Sequence, residues 1–141
     1  MLVFAAILFG VSALPEGKDH PVAWRDLSGE IGKLTLVRGE RRLFREQSKL
    51  AAFLHSVGAK RPAPQVDFST RQLLIVSPGP RSSTGYAIDV LSVRERGGKI
   101  TVRIRERTPR LRERVAARVT YPYRLLSLPA GKDVYVDWLG R

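Results

Sequence analysis

The chain has 141 residues, 43% of them hydrophobic, which is enough to build one core and about the size of one ordinary domain. Cysteine is absent, so disulfides, thiol nucleophiles and Cys-type zinc sites are excluded. Arginine supplies most of the 25 basic residues, the net charge is +12 and asparagine is absent. Depletion of fragile side chains fits a heat-adapted source, and a GC-rich genome gives the same arginine bias.

The charge excess is carried by the body of the chain and not by a tail: residues 21–64 hold +5 and residues 65–141 hold +8. An anionic partner is expected, whether protein, polymer or membrane surface.

The run Leu2 to Leu14 is about half of the ~20 residues that span a bilayer. Its length suits the apolar core of a secretory signal, and Val11-Ser12-Ala13 suits cleavage after Ala13. Residues 1–13 are therefore read as a signal-peptide-like segment, with a buried N-terminal strand as the competing reading. The missing basic flank points to a start further upstream or to a segment retained as an anchor, the one way in which a membrane enters this reading. Residues 14–22 contain "PEGKDHPV" and read as a linker into a single domain over residues 23–141.

Around Gly39, the residues Leu34, Leu36, Leu43 and Phe44 read as a hairpin or two short strands. Ser48 is a candidate N-cap, Leu50, Phe53 and Leu54 have helical spacing, and Gly58 is a stop. The spacing predicts one main helix over about 48–57. After "AKRPAP" the chain reads as β throughout, beginning with the short buried strand "RQLLIVS".

Gly97-Gly98 is a strong hairpin turn, because both positions tolerate positive φ. It sets Arg96 opposite Lys99, Val93 opposite Val102 and Leu91 opposite Ile104. One face then carries Leu91, Val93, Ile100, Val102 and Ile104. The other carries Arg94, Arg96, Lys99, Arg103, Arg105 and Arg107. Tyr86, Ile88 and Val90 have the opposite parity, which predicts a bulge near Val90. A strand around Tyr123 to Leu128 and a last one from Val134 to Trp138 complete an α+β, mostly β domain: an antiparallel sheet or small sandwich with a single main helix. Residues 110–118 read as a loop or one helical turn.

No catalytic constellation is found. "PGPRSSTGY" lacks the Gly-x4-Gly-Lys-Ser/Thr of a phosphate loop and the G-x-S-x-G of a nucleophile elbow. His20 and His55 stand alone, the carboxylates have no ligand spacing, and Asp133 and Asp137 alternate with valines as a solvated strand face would. The reading is of a non-enzyme with no cofactor and no metal. The six hairpin cations form a stripe suited to phosphate, carboxylate or an acidic surface. The competing reading is a solvated face that protects a strand edge. Nucleic acid is disfavoured because no aromatic residue interleaves these cations.

From residue 66 on, "VDF" at Val66 to Phe68, Gly79, "TGY" at Thr84 to Tyr86, Thr108-Pro109, "TYPY" at Thr120 to Tyr123 and Leu128-Pro129 occur in a fixed order. In this series the chain resembles the C-terminal domain of the PrcB-like protease-complex subunit family. It departs at Thr84, where that family commonly has a second glycine, and at Arg110, where glycine is frequent. The resemblance implies an exported, non-catalytic domain, periplasmic, cell-surface or secreted, that associates with or stabilises a protease complex. "STGY" is also similar to a loop of chagasin-type cysteine protease inhibitors, which implies direct inhibition through residues 79–86. Gly85 reads as a turn, Tyr86 as a core anchor, and Arg81, Ser82, Ser83 and Thr84 as an exposed tip free to contact a partner.

Overall fold

The computed structural model describes residues 17–140, so the signal-peptide-like segment 1–13 lies outside the described residues. The elements are β1 (His20–Pro21), β2 (Arg25–Asp26), α1 (Ser28–Ile31), β3 (Glu40–Phe44), α2 (Gln47–Ser56), β4 (Arg71–Ser77), β5 (Ala87–Arg96), β6 (Lys99–Arg107), β7 (Arg124–Pro129) and β8 (Asp133–Leu139). They form two four-stranded sheets, ordered β1-β5-β6-β8 and β2-β7-β4-β3. The mostly β fold with one main helix is as expected, in the sandwich form.

Strand β4 explains how the layers stack. Leu74 and Val76 point into a core shared with Ile88, Val93, Ile100, Val102, Ile104, Leu126 and Leu128 of both sheets. Leu73 and Ile75 point the other way, into a second core with Phe44 and with Leu50, Phe53 and Leu54 of α2. A strand covered on both faces reads as an unbroken apolar run, and Leu73 to Val76 are all at most 2% exposed. Each such side chain stabilises by roughly 2 kcal/mol, so one short strand ties two cores together.

The hairpin turn is as the glycines dictate, with φ of +58° at Gly97 and +79° at Gly98. Arg96 faces Lys99 and Val93 faces Val102, and the ladder breaks between Val90 and Ser92. The bulge is where the parity conflict placed it, but Leu91 is its extra residue. Ile104 therefore faces Val90, not Leu91, and Leu91 is turned out to 42% exposure.

Three other expectations are corrected. Residues 20–21, read as linker, pair with β5 through His20↔Glu95 and Pro21↔Arg94, and Val22 donates to the Val93 carbonyl at 3.2 Å. Leu34 and Leu36 are buried but form no strand, because the Thr35 amide donates to the Val57 carbonyl at the end of α2. Helix α2 starts one residue before Ser48, with Glu46 as N-cap, while the Gln47 side chain donates to the Pro64 carbonyl and accepts from the Val66 amide. Gly58 does stop it: at φ +79° its amide reaches the His55 carbonyl, and that of Ala59 reaches Leu54, a Schellman closure.

Tyr123 ties the start of β7 to α1. Its hydroxyl donates to the Ser28 and Gly32 carbonyls, and burial pushes its pKa up to about 12. The raised value means that the folded chain keeps a proton which the unfolded tyrosine loses near pH 10, so stability falls between pH 10 and 12. Tyr123→Phe is expected to cost about 1–2 kcal/mol in urea unfolding at pH 7 and to flatten that alkaline loss. An unchanged alkaline slope would contradict the assignment.

Candidate partner-binding surface

The six hairpin cations all lie on the outer face of the β5–β6 pair, since Ile100, Val102 and Ile104 take the inner one. Two neighbours unseen from the hairpin alone then change its charge. Strand β8 lies parallel to β6, with Tyr135 beside Thr101 and Asp137 beside Arg103. Arg103 Nε is 3.0 Å from Asp137 Oδ2, and Lys99 Nζ sits 4.9 Å from the Tyr135 ring centroid. From the other edge, Asp19 meets Arg94 Nε at 3.0 Å. Arg96 is also engaged. Arg105 and Arg107 are exposed, and among the described residues no carboxylate pairs with either. Carboxylates therefore offset Arg94 and Arg103, and the face stays cationic toward the chain that leaves β6, at Arg105 and Arg107.

At the 79–86 corner the expected free tip is corrected. Arg81 exchanges backbone hydrogen bonds with Thr120, at 2.8 and 2.9 Å. Its guanidinium turns inward and grips Glu106, with Nη2 to Oε2 at 2.8 Å, and these bonds raise the Arg81 pKa above its ordinary value. The Ser83 carbonyl accepts from the Thr120 hydroxyl at 2.8 Å. Thr84 accepts through Oγ1 from the Ala116 amide at 2.8 Å and donates through its own amide to the Ala116 carbonyl. Ser82 is the exposed member of the four. Tyr86 is half-buried, with the Arg81 guanidinium 5.9 Å from its ring.

A groove of about 590 Å³ opens beside this corner, lined by Arg41, Ser77, Pro78, Arg81, Glu106 and Trp138 among others. Several of its polar groups are already engaged: Ser77 Oγ donates to the Pro122 carbonyl and accepts from the Gly79 amide, and Arg41 covers the Trp138 ring at 5.2 Å. His55 lies exposed at the end of α2, and His20 Nε2 is 3.6 Å from Glu95, whose other oxygen meets Lys132 at 2.7 Å. Among the described residues no three His, Asp or Glu side chains converge as metal ligands.

The segment that sequence reasoning missed is residues 108–119, which is the chain clamped by the corner. It holds Arg110, Arg112, Arg114 and Arg118 against one acid, Glu113. Leu111 is 101% exposed, Val119 59% and Val115 42%. A signal was available: an arginine directly precedes an apolar residue at Arg110-Leu111, Arg114-Val115 and Arg118-Val119, in a stretch with no strand alternation.

No curated protein and no solved structure matches the chain. A family model does, over the stretch from β4 to β7; Val66 to Phe68 lie before it, and of the residues that carried the resemblance Gly79, Gly85, Pro109 and Thr120 gather at the corner. Pro109 packs on Gly85, Thr120 closes on Arg81, and Gly79 turns at φ +86° against Arg38 and Gly39. Residues 73–129 match the model described as PrcB C-terminal, and over that span the chain is similar to a PrcB-like C-terminal domain.

Proposed function

We propose that the protein is an exported, non-catalytic module that associates with a protease complex and stabilises it. The PrcB C-terminal match carries this reading, and it spans the buried residues of the core between the two sheets together with the 79–86 corner. The matched motif residues fit a scaffold role: they close turns and clamp a loop, and the Thr84 and Thr120 hydroxyls are spent on backbone groups. Export rests on the apolar run Leu2 to Leu14 and its small-residue end at Val11-Ser12-Ala13. Direct inhibition by the Ser82 to Tyr86 loop is the weaker variant, since insertion into a cleft would have to break the bonds to Ala116 and Thr120.

Cross-linking in an envelope fraction is expected to recover a protease in stoichiometric amount, and deletion of the gene to shorten that protease's half-life. A preparation with no stoichiometric partner, or an unchanged protease half-life, overturns the proposal. Mass spectrometry of the mature N-terminus, expected after Ala13, tests the export step separately.

A second reading, binding of an anionic polymer by the hairpin face, draws on Arg105 and Arg107, which are exposed and meet no carboxylate among the described residues. Charge reversal at Arg103 and Arg105 should weaken heparin binding, and the affinity should fall steeply with salt.

A further inference from the structure

We infer that residues 108–119 dock the protein on an anionic lipid surface, with Leu111 entering the headgroup layer and the flanking arginines on lipid phosphates. The inference is independent of protease association. Leu111 is 101% exposed, so no part of the described chain covers it. A leucine left wholly in water forgoes the burial that stabilises leucines elsewhere in this fold, and an arginine stands on each side of it. Arg112 and Arg114, one and three positions on, are exposed as well.

Two features favour a lipid surface over an acidic protein or a polymer. A protein pocket takes an apolar anchor from a neutral centre with charge at its rim. Here a cation stands directly before an apolar residue at three places along the segment, Arg110-Leu111, Arg114-Val115 and Arg118-Val119. That mixture is complementary to a layer which is anionic at its face and apolar just beneath. A polymer such as heparin offers the anions but no apolar phase, so it gives Leu111 no role. Arginine suits the phosphate side, because its guanidinium is weakly hydrated and binds bidentately.

The segment is also held ready. Thr84 bonds both backbone groups of Ala116, Val115 packs against Gly85, and Glu113 closes a turn, its carboxylate accepting from the Arg110 amide at 2.9 Å. Little ordering entropy remains to be lost on docking. The net charge of +12 supplies long-range attraction.

The absence of cysteine allows a direct test on the full chain. Leu111→Cys, labelled with an environment-sensitive nitrobenzoxadiazole dye, is mixed with vesicles of phosphatidylcholine alone or with 30% phosphatidylglycerol. The expected result is a blue shift, quenched by nitroxide-labelled lipid, with the anionic vesicles only. Adding Arg112→Glu and Arg114→Glu should weaken the interaction about 30-fold or more, and 0.5 M salt should suppress it. A dye that stays water-like on vesicles which do capture the protein shows attachment by another part of the chain and overturns the inference. So does an equal shift on neutral vesicles, or an equal shift with heparin.

Discussion

Replacing Arg81 with methionine is expected to destabilise the fold by about 3 kcal/mol and to lower Tm by roughly 10 °C. The cause is where its partner stands. Ile100, Val102 and Ile104 point into the sandwich core, and by the same alternation so does Glu106, which is only 4% exposed. A carboxylate there is tolerable because the Arg81 guanidinium, itself mostly buried, meets both of its oxygens. Removing the arginine takes away its positive charge and two charge-assisted hydrogen bonds at once, while the cost of desolvating Glu106 remains.

The same reasoning predicts the rescue. Arg81→Met combined with Glu106→Leu replaces the pair by apolar groups, and should return stability to within about 1 kcal/mol of the parent. Urea unfolding of the two single variants and the double variant gives the coupling directly. A single Arg81→Met variant that melts within 2 °C of the parent would mean that the pair is not what holds Glu106 in the core. The outcome also bears on function, because Arg81 joins the corner to β6, immediately before the chain enters the 108–119 segment.

Local rules made the hairpin legible before any coordinates. Gly97-Gly98 fixed its turn, and the clash of parity between Val90 and Val93 announced a bulge. Which residue the bulge expels was not legible, since Leu91 and Val90 are both apolar and packing chooses between them. The charge of the hairpin face was half legible. Its cations follow from alternation, but Asp19 and Asp137 reach them through pairing with β1 and β8, which are far away in sequence. The parallel β8 was unreadable for the same reason.

The corner failed differently. A Pro, Gly and Ser composition marks a turn well, but it says nothing about whether another segment closes over it, and here Ala116 and Thr120 do. Glu106 was within reach of sequence reasoning. Extending the alternation of Ile100, Val102 and Ile104 by one step would have placed a carboxylate in the core and demanded a cation for it.

Gly85→Ala should cost about 2–3 kcal/mol, and most of that cost should be local. The backbone there has φ +95°, which strains any residue with a Cβ. The added atom would also stand 3.0 Å from Pro109 Cγ and 3.1 Å from Val115 Cγ1, closer than carbon atoms approach without displacement. Both neighbours belong to the 108–119 segment, so relief comes from that segment lifting off the corner and stretching the two Thr84–Ala116 bonds. Gly97→Ala is the control: φ is also positive, at +58°, but nothing lies within 4 Å of the new atom, so the loss should be near 1 kcal/mol. Hydrogen exchange should then separate the two variants, with amide protection at Thr84 and Ala116 falling in Gly85→Ala and unchanged in Gly97→Ala. Equal stability losses and equal protection in both would mean that the glycine serves only its own turn. The expected difference would instead make Gly85 the residue that lets the corner hold an arginine-rich segment in place.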